Sequence, residues 1–299
     1  MPEGKVRARV MVVPDSSPGG SADTWKEAEL SIEGGLRIRY LKDGLFSGED
    51  FFSFSSVVDL GFKVPSHIGT GDVFAVRFQG KTLFMAPGSN PLIYSPSKFR
   101  DFIHGIFEAL LRGRPVLFWE GGEVPVWERG YLGAVGVGKL LIIGPNRAPI
   151  LSFPSVVKAR TETVDGKIAW FLERYTPLGI SGVYLHIPER KTRLFVLRYL
   201  SRFGGAGYLP ELAREFPDVL ADLKVPDVSP EEREVLMALM SGIDPLELPG
   251  LLRMDVRRVE EIYDRLIRKG LLSLVGIRKI VEPTPLAETA VELEEGEGE

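Results

Sequence analysis

The chain has 299 residues, a formal net charge of −4, a pI near 5.7 and no cysteine. This acidic balance argues against a general attraction to nucleic acid or anionic membranes, and the lack of cysteine excludes disulfides and thiolate chemistry. No apolar run reaches the roughly 18 residues that cross a bilayer, and no signal-peptide core follows Met1, so we expect a cytoplasmic protein without membrane insertion.

The first third of the chain predicts several strands and then a helix. Residues 6–12, 28–40 and 73–85 alternate apolar and polar side chains, which is typical of half-buried strands. Apolar residues then recur at helical spacing between Phe99 and Leu110, behind the start signal Ser95-Pro96-Ser97. After Gly113 the strand pattern begins again.

An internal repeat accounts for this second set of strands. The motif S-F-x-S-V-V begins at Ser53 and again at Ser152, 99 residues later, and Trp25 matches Trp127 at an offset of 102. Residues 80–84 also resemble residues 190–195. Matches in the same order indicate duplication of a unit of about 100 residues.

Each unit is predicted to form short strands followed by a helix, which is the element order of pleckstrin-homology-like domains. We therefore predict an α+β protein with two tandem pleckstrin-homology-like β modules, at residues 1–113 and 114–205. A helical linker is expected at 206–226.

The C-terminal part predicts a winged helix-turn-helix module at residues 227–283, followed by an acidic tail at 284–299. A capping box with proline begins at Ser229, Asp244 repeats the start signal, and a third helix starts at Asp255. A hairpin around Gly276 is expected to form the wing. The predicted apolar faces of the first and third helices are Val235, Leu236, Leu239 and Met240, and Val256, Val259, Ile262, Tyr263, Leu266 and Ile267.

No pattern of catalytic residues stands out. His67, His104 and His186 lie far apart without metal-ligand spacing, and Gly80-Lys81-Thr82 lacks the phosphate-loop glycine because residue 75 is alanine. No G-x-S-x-G nucleophile motif occurs. We expect no enzymatic activity, no cofactor and no catalytic or metal-binding residue.

The winged-helix prediction raises the question of DNA binding. Residues 227–282 hold nine basic and eleven acidic residues, a net charge of −2, whereas a DNA-binding face is usually basic. We therefore expect no nucleic-acid partner. A transcription regulator with sensory β domains remains the alternative function, and the lack of a long basic cluster argues against a lipid-binding tandem.

The duplicated S-F-x-S-V-V unit, the segment 229–242 (Ser-Pro-Glu-Glu onward) and the segment 259–266 (Val-Glu-Glu-Ile-Tyr-Asp-Arg-Leu) together resemble the archaeal taxis protein family CheF. This resemblance implies a non-enzymatic adaptor that links the phosphorylated response regulator CheY to the motor switch proteins at the base of the archaellum. It carries no residue motif for partner binding.

The partner-binding residues are therefore predicted on physical grounds. A receiver domain is usually acidic, so arginines at outward positions of the third C-terminal helix are candidate anchors. The sheet edges and aromatic residues of the β modules are the competing site. The candidate residues, all expected to be exposed, are Arg257, Arg258, Glu261, Arg265 and Arg268.

Overall fold

The structure is a computed structural model that describes residues 5–15, 24–65, 68, 72–88, 95–120, 126–134, 136, 138–176, 179–203, 208–222, 227–269 and 271–272. It contains two seven-stranded antiparallel sheets and several helices, which confirms the predicted α+β class.

The first sheet has the strand order β4-β3-β2-β1-β7-β6-β5, and a helix, α1, follows its last strand. The bounds are β1 Val6–Pro14, β2 Lys26–Ile32, β3 Gly35–Lys42, β4 Leu45–Ser53, β5 Val57–Leu60, β6 Phe74–Phe78, β7 Lys81–Ala86 and α1 Pro96–Leu111. Ser95 caps α1 by accepting a hydrogen bond from the Lys98 amide.

The second sheet has the order β11-β10-β9-β8-β14-β13-β12 and is likewise followed by a helix, α2. The bounds are β8 Arg114–Glu120, β9 Glu128–Ala134, β10 Lys139–Ile143, β11 Ile150–Ser152, β12 Val156–Val164, β13 Lys167–Thr176, β14 Gly179–His186 and α2 Arg190–Phe203. The order is that of the first sheet strand for strand, which confirms the predicted duplication.

The repeated motif forms the same local structure twice. In each copy it makes a short 3₁₀ turn between the fourth and fifth strands of its sheet. The Ser56 hydroxyl donates to the Ser53 carbonyl at 2.8 Å, and Ser155 donates to Ser152 at 2.7 Å. Such local bonds favour turns, which explains why the serines recur. Val57 and Val156 then begin β5 and β12 and are buried.

The third predicted repeat match, between residues 80–84 and 190–195, is wrong. Residues 81–86 form β7, whereas residues 190–203 form α2, so the matching letters lie in different elements. The register pairs β7 with β1 in the same way as it pairs β14 with β8. The correct equivalent of β7 is therefore β14, and the equivalent of α2 is α1.

Helix α1 contacts both sheets. Helix α1 packs against β1 of the first sheet and β9 of the second, and α2 packs against α1 and against β5 of the first sheet. The buried apolar residues of the two sheets consequently belong to one continuous core. The sequence of the second unit predicts a helix from about Leu194 to Phe203, and α2 begins four residues before that start.

The connector after α2 packs against this core. It forms two short helices, α3 (Leu209–Leu212) and α4 (Pro217–Ala221). Leu209, Leu212 and Phe216 are buried, and the Thr161 hydroxyl of β12 donates to the Glu211 carbonyl at 2.9 Å. The sequence Gly204-Gly205-Ala206-Gly207 between α2 and the connector predicts a flexible joint, and these residues lie outside the described ones.

The C-terminal part forms three further helices with a core of their own: α5 (Pro230–Met240), α6 (Leu248–Leu252) and α7 (Val256–Arg268). The second helix begins a few residues after its predicted start at Asp244, because residues 245–247 form a turn. The predicted hairpin around Gly276 and the acidic tail lie outside the described residues.

A buried ion cluster joins three parts of the chain. Arg198 of α2, whose side chain is 2% exposed, donates to Asp59 of β5 at 3.1 and 2.9 Å and to Asp222, just after α4, at 2.6 Å. Burial lowers the pKa of the guanidinium, but hydrogen bonds and charges from both aspartates outweigh it and leave the pKa raised. Arg198 therefore remains charged and tied to both carboxylates.

We predict that Arg198→Ala lowers the free energy of unfolding by about 3 to 5 kcal/mol, because it leaves two partly buried carboxylates without their cation. Urea denaturation measures this change. The control is Arg112→Ala, which removes an exposed pair with Glu108 and should lower stability by less than about 1 kcal/mol. Equal, small effects of both substitutions would show that the cluster is not a main support of the fold.

Candidate protein-binding site in the C-terminal helices

The C-terminal helices are positioned by a small apolar core and by a cap. Ser229 accepts a hydrogen bond from the Glu232 amide, and the Glu232 carboxylate accepts one from the Ser229 amide, so the predicted capping box is present. Asp255 caps α7 in a similar way through the Arg257 amide. The fully buried core residues are Val235, Leu248, Val259, Ile262 and Leu266.

Glu232 does more than cap its helix. Its side chain is only 2% exposed and accepts hydrogen bonds from Lys269 at 2.6 Å and from Arg265 at 3.2 Å, both near the end of α7. The Lys269 ammonium also donates to the Asp227 carbonyl at 2.9 Å. One carboxylate therefore connects the start of α5 to the end of α7.

These contacts change the titration of Glu232. The hydrogen bond from Lys269, the bond from the Ser229 amide and the bond from Arg265 together lower its pKa to about 2, although burial opposes the shift. The carboxylate is thus ionised throughout the physiological range.

A second ion pair lies beside the first. Arg258 donates to Glu231 at 2.6 Å and to Glu261 at 3.4 Å. An open cavity of about 570 Å³ lies between α5 and α7, and its lining residues are Asp227, Ser229, Pro230, Glu231, Glu232, Arg258, Arg265 and Lys269. Its three basic side chains are already bonded to Glu231 or Glu232 and are balanced by three acidic residues, so it is a neutral structural junction rather than a site awaiting a ligand.

The structure divides the five predicted partner-binding residues into two groups. Arg257, Glu261 and Arg268 are exposed, and the Arg257 side chain is 89% exposed with only a weak 3.9 Å pair to Glu261. Arg258 is half-exposed and turns towards Glu231. Only the first three lie free of α5 on the outer face of α7.

The expectation that Arg265 is exposed is wrong. Its guanidinium is directed at the buried Glu232 and its side chain is 31% exposed. A carboxylate so thoroughly buried requires a cation, and α7 supplies two of them one turn apart. Neither Glu232 nor Lys269 is among the predicted partner-binding residues. The capping-box glutamate and the four-residue spacing of Arg265 and Lys269 are the sequence signals for this ion cluster.

Two residues assigned to apolar faces are also exposed. Met240 is the last residue of α5 and is 86% exposed, and Val256 in the first turn of α7 is 52% exposed, because helix ends project past the core. Met237, Leu246 and Leu251, which the sequence analysis did not single out, are exposed to a similar degree. The module therefore offers apolar contact area as well as charge.

The two histidines that the structure describes each contact a backbone carbonyl. His104 lies 3.0 Å from the Gly136 carbonyl and 3.2 Å from the Tyr199 hydroxyl, and His186 lies 2.7 Å from the Ile168 carbonyl. His67 lies outside the described residues. Within the described part of the chain, no group of three or more histidine, aspartate and glutamate side chains is arranged to hold a metal ion. None of the helices in the described ranges is long and apolar enough to cross a membrane.

The C-terminal region of the chain is similar to a known family of domains. Residues 227–290 match a family described as a domain of unknown function, DUF8579. That match begins two residues before the cap of α5 and includes all three C-terminal helices.

Part of the chain is also similar to a protein named for a role in taxis. The chain is similar to Taxis protein CheF1 of Halobacterium salinarum, with 46% identity over 55 residues. The aligned segment is 18% of this chain and spans about a fifth, 19%, of that relative. Part of the chain is thus related in sequence to a taxis protein.

We predict that the C-terminal helices lose stability as the pH falls from about 5 to about 2. Glu232 has a pKa of about 2 when folded and about 4.3 in an unfolded chain, so its contribution is complete above the higher value and is lost as the pH falls through the lower one. Thermal denaturation followed through the methyl NMR signals of Ile262 and Leu266 measures the effect.

Glu232→Gln should destabilise the helices at neutral pH and flatten this acid dependence, since the variant has no carboxylate to protonate. Glu231→Gln, which removes an exposed carboxylate from the neighbouring position, is the matched control and should keep the wild-type acid profile. An unchanged profile in Glu232→Gln would refute the assignment.

Proposed function

We propose that the chain is a non-enzymatic adaptor in archaeal taxis, which links the phosphorylated response regulator CheY to the motor switch proteins of the archaellum in the cytoplasm. The similarity of part of the chain to Taxis protein CheF1 carries this proposal. The family resemblance of the duplicated motif and of the segments 229–242 and 259–266 supports it.

The proposal also includes the fold type of each module. Seven antiparallel strands followed by a helix, twice over, support two pleckstrin-homology-like modules. The three helices α5–α7 support a helix-turn-helix core, whose wing would be supplied by the residues after 272. A chain with two separate cores offers separate surfaces to two partners, as an adaptor requires.

The mechanism that we propose is conditional bridging. Phosphorylation shifts a receiver domain between two conformations, and an adaptor that binds one of them more tightly is recruited by that difference in affinity alone. No chemistry by the adaptor is needed for this, in keeping with a sequence that carries no nucleophile motif.

The outer face of α7 is the docking site that we propose for CheY. Arg257 and Arg268 reach solvent there and make no strong ion pair with any described residue, so a partner's carboxylates can engage them at little desolvation cost. Exposed Glu260, Glu261 and Asp264 share the helix and would oppose a phosphate backbone, which makes the transcription-regulator alternative the weaker one.

A binding measurement with purified CheY of the same organism tests the function. We expect the full chain to bind the phosphorylated or beryllofluoride-activated regulator at least about tenfold more tightly than the unmodified one. Equal affinity for both forms, or none, would refute conditional bridging. A sequence-specific DNA footprint that survives about 0.2 M salt would instead favour the alternative function, a transcription regulator.

For the docking site, we predict that Arg257→Glu combined with Arg268→Glu weakens the binding of activated CheY by more than about tenfold, or about 1.4 kcal/mol. Arg265 is left intact because its replacement would disturb Glu232 and confound folding with binding. Isothermal titration calorimetry gives the affinities.

The matched control is Arg112→Glu combined with Arg214→Glu, which makes the same charge change at exposed positions just after α1 and between α3 and α4. This control should bind activated CheY with nearly wild-type affinity. If the α7 variant also binds like wild type, docking lies elsewhere and the β modules become the better candidate.

A further inference from the structure

The edge strand of the first sheet, β4, is long and exposed. It lies at one end of the strand order and pairs with β3, and no other strand in the described part of the chain pairs with it. All residues from Leu45 to Phe51 are exposed, and the exposed fractions of Leu45, Phe46 and Phe51 are 75%, 61% and 53%. Residues 48–53 pair with β3 without a shift in register. A regular, exposed edge strand is a template for pairing with another chain.

Every second residue of β4 turns its backbone groups away from β3. The two-residue turn at residues 43–44 makes Lys42 and Leu45 a pair that exchanges backbone hydrogen bonds, and such pairs alternate along antiparallel strands. Counted from Lys42, β3 therefore bonds to β4 through its even-numbered residues. Glu49 and Phe51 lie opposite odd-numbered residues of β3, so their N–H and C=O groups point out of the sheet edge.

The second sheet shows the same alternation. There, Ile142 and Pro149 are the equivalents of Ile38 and Asp50, as the strand registers and the 99-residue offset of the repeated motif require. The Ile142 amide donates to the Pro149 carbonyl at 2.9 Å. Even-numbered Ile38 of β3 is therefore expected to face Asp50 of β4 in the same way, which leaves the residues on either side of Asp50 facing outward.

The exposed side chains of β4 lean inward over β3 rather than across the edge. The Phe51 ring lies over Gly35, where a Cβ atom would come within 2.6 Å of it. The Phe46 ring lies 5.7 Å from the Arg39 guanidinium, and the Glu49 carboxylate accepts a hydrogen bond from the same group at 3.0 Å. Within the described ranges, no hydrogen bond reaches the outward backbone groups of Glu49 and Phe51.

The equivalent edge of the second sheet is short and partly blocked. Strand β11 has three residues, whereas β4 has nine, and proline stands at position 149 where β4 has Asp50. The carbonyl of Ile150, the equivalent of Phe51, accepts a hydrogen bond from the Arg174 guanidinium at 2.8 Å. Short strands and proline are common means by which proteins prevent pairing at a sheet edge. Strand β4 is longer and contains no proline, so the first sheet keeps an edge that can pair.

The charges of β4 and the sequence of β3 indicate what this edge would bind. Glu49 and Asp50 are the charged residues of β4, which therefore carries a net charge of −2. The Asp50 carboxylate makes no ion pair with any described residue and accepts a hydrogen bond from the neutral Tyr40 hydroxyl at 2.7 Å. The strand that β4 already pairs with reads Leu-Arg-Ile-Arg-Tyr-Leu-Lys over residues 36–42, so it combines apolar with basic residues. Two copies of β4 would instead bring like charges together across the strands, which is destabilising.

We propose that the edge of β4 binds an extended segment of a partner protein that combines apolar residues with lysine or arginine, and that this segment adds an eighth strand to the first sheet. The outward N–H and C=O groups of Glu49 and Phe51 supply main-chain hydrogen bonds, the exposed Phe46 and Phe51 rings contact apolar side chains of the segment, and Asp50 pairs with a basic one. This inference does not involve α7 and holds independently of the role in taxis.

The probe is a fluorescently labelled, end-capped peptide with the sequence of residues 35–42, the strand that β4 already binds, and it is added to the full chain. Fluorescence anisotropy should show saturable binding at about millimolar concentration or below. Replacement of both arginines within the peptide, Arg37→Glu and Arg39→Glu, should weaken binding by at least about tenfold. No saturable binding of the native-sequence peptide, or equal binding of the glutamate peptide, would overturn the proposal.

Two further peptides test whether the binding is strand pairing. One is N-methylated at the odd-numbered residues and the other at the even-numbered residues. Because a strand uses every second amide for one neighbour, one peptide should keep its affinity and the other should lose at least about tenfold. Equal affinity of the two methylated peptides would show that the peptide does not pair as a strand and would contradict the proposal.

The variant Glu49→Pro removes an outward amide that does not bond to β3, and proline is tolerated at such positions of an edge strand. It should weaken peptide binding by at least about tenfold while circular dichroism stays that of the wild type. The matched control, Glu49→Ala, removes the same carboxylate but keeps the amide, and should bind within about threefold of the wild type. Unchanged affinity of a folded Glu49→Pro variant would place the peptide elsewhere. If that variant does not fold, the methylated peptides decide the question on the wild-type chain.

Sedimentation of the wild-type chain alone distinguishes a different partner from a second copy. We expect no association through β4, because its carboxylates would repel each other. Concentration-dependent association that Glu49→Pro abolishes and Glu49→Ala leaves intact would show that a second copy occupies the edge, and would overturn the proposal.

Discussion

The buried guanidinium of Arg198 sets the arrangement of most of the chain. A charge with 2% exposure is tolerated only when its partners are held in place, and here they come from two distant segments, β5 of the first sheet and the residue after α4. The first sheet, α2 and the connector must therefore be assembled for the ion cluster to form. The two sheets also share one apolar core, in which α1 contacts a strand of each sheet.

A buried, paired ion also joins the C-terminal helices, but here the buried group is a carboxylate and its partners are cations. Glu232 is the buried ion, and Lys269 and Arg265 are the partners brought to it by α7. This requirement divides the arginines of α7 into those that support the fold and those that face solvent. Helical periodicity alone places Arg265 within the same broad polar arc as Arg257 and Arg268, since the pattern contains no information about which polar side chain on a neighbouring helix is buried.

Features set by local chemistry were predictable from the sequence. The duplication, the strand-then-helix order of each copy, the cap at Ser229 and the start of α7 at Asp255 all depend on residues a few positions apart or on direct repetition. The features that could not be predicted depend on tertiary contacts. Residues 190–195 share letters with a strand but follow a strand end at His186 and start a helix, and Asp59, Arg198 and Asp222 are distant charges with no spacing that would connect them.

The two copies of the β unit share one strand order but fill their cores differently. Some buried equivalents keep their residue type, as Leu30 and Leu132 do, whereas others differ in volume, as Val10 and Phe118 do. Other equivalent positions differ in size: Met11, Ala75 and Phe84 are buried beside a small apolar cluster, whereas the equivalent Trp119, Phe171 and Tyr184 are larger and only partly buried. The differences between duplicated units, rather than their similarities, are therefore where the separate roles of the two sheets are to be sought.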